Sequence, residues 1–226
     1  MNQKTNDKKQ KILIVHNYYQ VPGGEDTVVA NEKKLLEDNG HEVILYTRDN
    51  SEIRKMNFFR KLLLPFTSIY SRRTAKDIKK IIQENGIDIV HVHNTLHLIS
   101  PSVYYAAVKC GVPVVQTIHN FRFLCPGAML YRDGHICEDC LNKGLHCAVR
   151  HACYRHSRPQ TFILVLSALI HRSTGIFRKI NFICLTEFNK QMLLRINKKK
   201  QIVQPSRVFV KPNFTFLNSP DHPEKD

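Results

Sequence analysis

Several features are missing from this 226-residue chain, and each absence removes a class of protein. No apolar run approaches the ~20 residues that a membrane-spanning helix needs; the longest, such as Phe162-Ile-Leu-Val-Leu166, fall far short. The polar, basic start from Met1 to Lys11 lacks the apolar stretch and small-residue cleavage site of a secretory signal. A cytoplasmic protein, soluble or peripheral at the inner face of a membrane, is therefore expected. No repeat of the solenoid type occurs, and the dinucleotide fingerprint G-x-G-x-x-G is absent. Acidic residues are scarce, with 19 Asp and Glu against 34 Lys and Arg, so the net charge is +15. Such an excess calls for an anionic partner: nucleic acid, anionic lipid or a phosphorylated substrate.

What is present fits one α/β domain with a mostly parallel sheet. Lys11 to Asn17 reads as a buried strand. Val21-Pro-Gly-Gly-Glu-Asp26 is a turn feeding a helix from about Thr27 to Asn39, stopped by Gly40, and His41 to Thr47 is a second strand. Arg54 to Lys80 carries nine Lys and Arg against one acid, Asp77. Phe58, Phe59, Leu62, Leu63, Phe66, Ile69 and Tyr70 recur there at near-helical spacing, with Pro65 as an expected kink. That basic amphipathic segment either packs its apolar face on the sheet or docks on an anionic membrane or lipid-linked substrate. A helix from Thr74 to Asn85, capped by Gly86, leads into the strand Ile87 to His93. Ser100-Pro101 reads as a helix start, with Ser as cap, before the strand Val112 to Ile118. Periodicity disappears from 120 to 159, as in a loop insertion, and resumes with Gln160 to Ser173, Asn181 to Leu185, Thr186 to Asn197 and Arg207 to Val210. Residues 1–10 and 212–226 read as disordered or linker tails around a domain spanning 11–211.

Two stretches organise this order: Asp88-Ile-Val-His-Val-His-Asn94 and Pro113-Val-Val-Gln-Thr-Ile-His-Asn120. Each is a β-branched run ending abruptly in polar residues, as a buried parallel strand does where it delivers side chains to the rim of a sheet. His16, Asn17, His93, Asn94, His119 and Asn120 are thereby candidate binding residues, and His119 is the candidate nearest to chemistry. A histidine at a strand end is also commonly a satisfied structural residue. Alternate strand residues point to opposite faces, so His91, His93 and His119 are not expected all to face one ligand. Gly23-Gly24, with Glu25 beside it, would let a phosphate approach the helix N-terminus, although a plain tight turn explains two glycines equally well.

Seven cysteines in a chain without a secretory signal argue against a disulfide framework. Cys137-Glu-Asp-Cys140 has knuckle spacing, and Cys125 and Cys153 flank it, so a structural zinc on these four thiolates is expected. His135, His146 and His151 are available substitutes, and free thiols are the alternative.

The motifs Gly23-Gly-Glu25, Gly40-His-Glu-Val43, Asp88 to Asn94, Gly111-Val-Pro-Val-Val115, Thr117-Ile-His-Asn120, Leu185-Thr-Glu-Phe188 and Lys211-Pro-Asn-Phe214, in this order, resemble the N-terminal, acceptor-side domain of family 4 glycosyltransferases of the two-Rossmann-domain type. Leu124-Cys-Pro, Arg132-Asp-Gly, Cys137-Glu-Asp-Cys-Leu141 and Cys153-Tyr-Arg-His-Ser157 resemble a bacterial subgroup associated with surface polysaccharide. The resemblance implies retaining transfer from a nucleotide-sugar co-substrate to a glycan or lipid-linked acceptor, with Gly23 and Gly24 near the donor diphosphate and His119 near the donor sugar. It also implies a second, donor-binding domain after Lys-Pro-Asn, so the sequence resembles a truncated, split or excised half that would be inactive alone. Two alternatives from other classes are a basic zinc-containing nucleic-acid module and a non-catalytic accessory subunit. No aromatic–basic interleaving surrounds the cysteines, so nucleic acid is not the expected partner.

Overall fold

Ile12-Leu13-Ile14-Val15 is fully buried, as a strand must be when both sheet faces are covered. It lies in β1 (Lys11–Tyr18), the second strand of a six-stranded sheet. A computed structural model describes residues 9–20, 23–198 and 200–216. Of the expected tails at 1–10 and 212–226, residues 1–8 and 217–226 lie outside the described residues, as do Val21 and Pro22 of the glycine turn; within the second, Phe214 O accepts from Asn31 Nδ2 at 3.3 Å.

The remaining strands are β2 (Glu42–Asp49), β3 (Ile89–Asn94), β4 (Val114–Ile118), the short antiparallel pair β5 (Tyr131–Arg132) and β6 (His135–Ile136), β7 (Asn181–Cys184) and β8 (Val208–Val210). Main-sheet order is β2-β1-β3-β4-β7-β8, with every pairing parallel. The protein is thus α/β and Rossmann-like. The order reverses between β1 and β3, and a crevice at such a switch point is where open α/β sheets bind ligands.

Helices cover both faces. From β1, Ile12 and Ile14 pack with Val29 and Leu36 of α1 (Gly24–Asp38). Leu13 and Val15 point the other way, towards Ile78 and Ile82 of α4 (Arg72–Asn85) and Val103, Tyr104 and Ala107 of α5 (Ser102–Lys109). Gly86 adopts the left-handed conformation, φ 63°, that ends α4 as expected.

Local details depart from the sequence expectation. Helix α1 begins at Gly24 rather than Thr27, because Asp26 caps it: Gly23 N donates to Asp26 Oδ2 at 3.0 Å, and Asp26 N donates to Gly23 O at 3.0 Å. Ser100 is not the cap of α5. Pro101 holds that position, while Ser100, at φ 66°, accepts from Ser71 N and donates to Ser102 Oγ. Residues 54–80 fall in three helices, the last of them the helix expected from Thr74, which begins at Arg72. Of these, α2 (Glu52–Lys55) is one turn, and α3 (Phe58–Ile69) runs through Pro65 against α8 (Arg158–Ser173). The apolar stripe of α3 is not packed on the sheet. Phe58 and Phe59 are 74% and 73% exposed, and Leu62, Leu63 and Phe66 are exposed with them. Residues 120–159 hold the β5–β6 hairpin and two short helices, α6 (Asp139–Asn142) and α7 (His146–Arg150), anchored by buried Leu145 and Ala148 on Val165 of α8. Helix α9 (Glu187–Leu194) ends before Asn197, tightening into a 3₁₀ turn.

Candidate functional site

Three loops meet at the carboxyl edge of the sheet. The glycine turn after β1 starts α1, the Asn94-Thr95 loop follows β3, and His119-Asn120 follows β4. A cavity of about 130 Å³ opens there, its lining joining the polar Glu25, Asn94, His119, Asn120 and Arg122 to Tyr104, Ile118, Phe123, Leu164, Ala168 and Phe177. An apolar chamber with a few convergent polar groups is the usual form of a small-molecule site.

The glycine turn is open. A Cβ on Gly23 or Gly24 would meet nothing within 4 Å, so packing does not demand glycine there. The Gly23 N–H is engaged by Asp26, whose other oxygen lies 2.7 Å from His16 Nε2. His16 is fully buried, and burial lowers its pKa from the ordinary histidine value. Glu25 is placed differently from Asp26. Desolvation lifts its carboxyl to about 7, against the hydrogen bond it shares with Tyr19, and its Oε1 is buried without a partner. Two ionised acids at this helix start would repel a phosphate, and a protonated Glu25 removes one of those charges.

His93 and His119 are in direct contact: His93 Nδ1 lies 3.0 Å from His119 Nε2, with the rings stacked at 5.3 Å between centroids. Burial holds His119 neutral, lowering its pKa to about 4. His91 and His93 stand two residues apart and so share a face of β3, rather than opposing one another. Both face α1, where His93 Nε2 and His91 Nδ1 lie 3.2 and 3.5 Å from Glu32 Oε2. His91 Nε2 contacts Thr117 Oγ1 at 2.8 Å, and burial lowers its pKa to about 3.

Asn17 and Asn94 are fasteners more than ligands. Asn94 Nδ2 donates to Asn17 O at 2.7 Å, and Asn17 Nδ2 donates to Leu96 O at 2.5 Å, tying the loop after β3 to the end of β1. Asn94 also lines the cavity; Asn17 is fully buried. Asn120 Oδ1 accepts from Arg122 N at 3.0 Å and so aims the arginine loop at the mouth. Glu25, His93, Asn94, His119 and Asn120 thus line one cavity; Gly23 and Gly24 directly precede Glu25 in the chain, and His16, Asn17 and His91 lie outside the lining.

Sequence reasoning missed Arg122, Glu32 and Lys211. Glu32 carried a signal: it lies three residues after Val29 and four before Leu36, on the apolar stripe of α1. Burial opposes its charge, but the contact with His93 and the Lys211 ammonium, 2.6 Å from Oε1, outweigh it and hold the carboxyl below the ordinary carboxylate range. Glu32, His91 and His93 offer donor atoms within 4.8 Å of one another, as no other such trio does among the described residues.

The cysteines gather in part. Cys125, Cys137, Cys140 and Cys153 lie within electrostatic reach of one another, whereas Cys147 Sγ sits 3.6 Å from His146 Nε2. All seven thiols are free. The Cys140 thiol, hydrogen-bonded to Cys125, draws the latter down to about 6, and that same contact pushes Cys140 up. Gly127 makes room for the group, since a Cβ there would meet Cys153 O at 3.2 Å and Cys125 Sγ at 3.6 Å. Four soft donors suit zinc chemically, but their sulfurs are more widely spaced than the donor atoms of the Glu32 trio.

The chain resembles known proteins. An uncharacterized 42.6 kDa protein in the cps region of Klebsiella pneumoniae is 32% identical over 120 residues, 50% of this chain and 32% of that protein. The phosphatidyl-myo-inositol mannosyltransferase of Mycolicibacterium smegmatis is 25% identical over 112 residues, 45% of this chain and 28% of that one. The chain thus aligns with about a third of each relative's length. A Staphylococcus aureus MnaA–UDP structure superposes with a TM-score of 0.49 at 13% identity, over 90% of this chain and 44% of that one. Residues 22–214 match Glycosyltransferase Family 4, and the chain belongs to that family.

Proposed function

We propose that this chain is the acceptor-side domain of a retaining glycosyltransferase that moves a sugar from a nucleotide-sugar donor to a glycan or lipid-linked acceptor in surface-polysaccharide synthesis. One observation carries the reading: Glu25, the residue after Gly23-Gly24 at the start of α1, and His119 after β4 line the same cavity, at the switch point of the sheet. In this reading the donor diphosphate approaches the Gly23-Gly24 turn, where an added Cβ would meet nothing within 4 Å. His119, neutral and oriented by His93, contacts the donor sugar. Glu25 and Arg122 bracket the mouth, and Asn94 and Asn120 hold the loops that shape it. No protein nucleophile is assigned.

The leaving diphosphate needs charge stabilisation that this domain supplies only in part, so transfer requires a donor-binding partner domain. The test is sugar transfer by this chain fused to a compatible donor-binding domain. Transfer is expected from the fusion, none from the chain alone, and a loss on the order of 10²-fold in His119→Ala. A fusion that binds nucleotide-sugar yet transfers equally well with His119→Ala would sink the assignment.

Two partners follow from the same reading. The exposed stripe Phe58, Phe59, Leu62, Leu63 and Phe66, beside Arg54, Lys55, Arg60, Lys61, Arg72 and Arg73, suits the cytoplasmic face of an anionic membrane, where a lipid-linked acceptor would be presented. Among the described residues no helix is long and apolar enough to cross a membrane. Sedimentation with anionic vesicles at low salt is expected, weakened by high salt; no binding at either would retire the idea. A structural zinc on Cys125, Cys137, Cys140 and Cys153 would pin the segment between β4 and α8, drawing the four sulfurs together. Folded protein that holds no zinc and alkylates at all seven thiols would remove it.

A further inference from the structure

Glu32 is a carboxylate 5% exposed on the apolar face of α1, a position that costs several kcal/mol unless charge and hydrogen bonds compensate. One oxygen is answered by the Lys211 ammonium at 2.6 Å. The other, Oε2, faces His93 Nε2 at 3.2 Å, an ion-pair approach; both atoms are buried, and neither makes a hydrogen bond of acceptable geometry. His93 Nδ1 is 3.0 Å from His119 Nε2. His91 is anchored differently, through Nε2 to Thr117, so the line from Glu32 to the cavity runs through His93.

We propose that Glu32, acting through His93, is a positioning residue that fixes His119 as the Nε2–H tautomer, so that its Nδ1 meets substrate as a hydrogen-bond acceptor. With His93 taken as a neutral ring, only the inventory of protons is needed. An ionised carboxylate accepts and never donates, so the ring nitrogen beside it carries the hydrogen: His93 Nε2–H. A neutral imidazole has one N–H, which leaves His93 Nδ1 a lone pair. The nitrogen facing that lone pair must donate, so His119 carries its hydrogen on Nε2 and keeps a lone pair on Nδ1. The opposite sense would set the His93 Nε2 lone pair against the carboxylate. An acceptor at His119 recognises a hydroxyl, which can donate, and disfavours a phosphate oxygen, which cannot. This deepens the proposed function, on which it rests for the contact between His119 and the donor sugar.

The same atoms invite a rival. Glu32 Oε2, His91 Nδ1 and His93 Nε2 are close enough together to ligate a cation, which would require a lone pair on His93 Nε2 and so reverse both tautomers. The Lys211 ammonium already sits on that carboxylate and opposes a second positive charge.

The deciding measurement is a two-bond ¹H–¹⁵N correlation spectrum of histidine-labelled full chain near pH 7.5, which reads each ring nitrogen as protonated or not. His119 signals are located by their loss in His119→Asn. The wild type is expected to show Nε2–H at both His93 and His119, and Glu32→Gln to turn His119 into a mixture of tautomers. A purely structural Glu32 would lower stability without moving the tautomer. Nδ1–H at His119 in the wild type would overturn the proposal, as would a His119 signal unchanged in a folded Glu32→Gln. Added zinc that moves the His91 and His93 nitrogens to ligated positions would overturn it too. If Glu32→Gln does not fold, the wild-type spectrum decides alone. None of these readouts needs sugar transfer, so an inactive fusion would sink the proposed function and leave the tautomer result standing.

Discussion

The two faces of β1 and β3 are built on opposite principles. Towards α4 and α5 the strands present Leu13, Val15, Val90 and Val92, an unbroken apolar surface packed on Ile78, Ile82 and Val103. Towards α1, Ile12, Ile14 and Ile89 give way along β3 to His91 and His93, and the helix answers with Glu32 in place of an aliphatic side chain. Both faces are covered by helices and His91, His93 and Glu32 are themselves buried, so exposure to water does not explain the difference. Buried ion pairs seldom stabilise more than the apolar residues that could replace them. A polar column that ends at a cavity is therefore better understood through what it orients than through what it holds together.

The contrast can be broken from its apolar side first. Leu13 is fully buried among aliphatic neighbours, and Leu13→Ala should cost about 3 kcal/mol by urea unfolding, through lost transfer free energy and the cavity left behind. The polar side should respond in the opposite sense. Replacing Glu32, His91 and His93 together by Leu, Val and Val removes the buried charge with its partners and restores β-branched residues to β3. The Lys211 side chain, 40% exposed, can return its ammonium to water. The triple variant should be as stable as the wild type or more so, by ~1–2 kcal/mol, while the fused enzyme loses transfer. A triple variant destabilised as much as Leu13→Ala would show that the column is structural after all, and would erase the distinction between the faces.

How much of this was legible in the sequence depends on the face. Strands buried on both sides are written as β-branched runs, and the rim follows from where those runs stop, so β1, β3, β4 and the position of His119 at the end of β4 could be placed by pattern alone. Glu32 could not be recognised in that way. One acid on an amphipathic helix looks like an imperfect stripe, and its partner Lys211 is 179 residues away. The pairing of His91 with His93 was available from period two, but its meaning depended on which helix covered that face. In α3 the pattern announced an apolar stripe without saying what covers it, and the stripe proves to be exposed. The cysteine segment has no periodicity to read. Its hairpin and short helices are set by contacts with α8, such as Leu145 and Ala148 against Val165, which no local signal encodes.

The smallest expected effect sharpens the comparison at the mouth of the site, where Glu25 and Asp26 are neighbours with different surroundings. Asp26 bonds His16 and the Gly23 N–H, while Glu25 is desolvated with one oxygen unanswered. A carboxyl raised from 4.5 to about 7 in the folded protein binds a proton that the unfolded chain has already released over that interval. Stability should therefore fall as pH rises from 4.5 through 7, and this contribution should be level on either side of that window. Glu25→Gln keeps the shape and removes the titration. It should stabilise the protein by ~1 kcal/mol at pH 8, less than the full linkage value because the group is partly solvated, and by nothing measurable below pH 4.5. Urea unfolding of both proteins at pH 4, 6 and 8 tests this directly. A difference independent of pH would mean that Glu25 is ionised throughout, leaving two negative charges at the start of α1 and making the glycine turn a poor seat for a diphosphate.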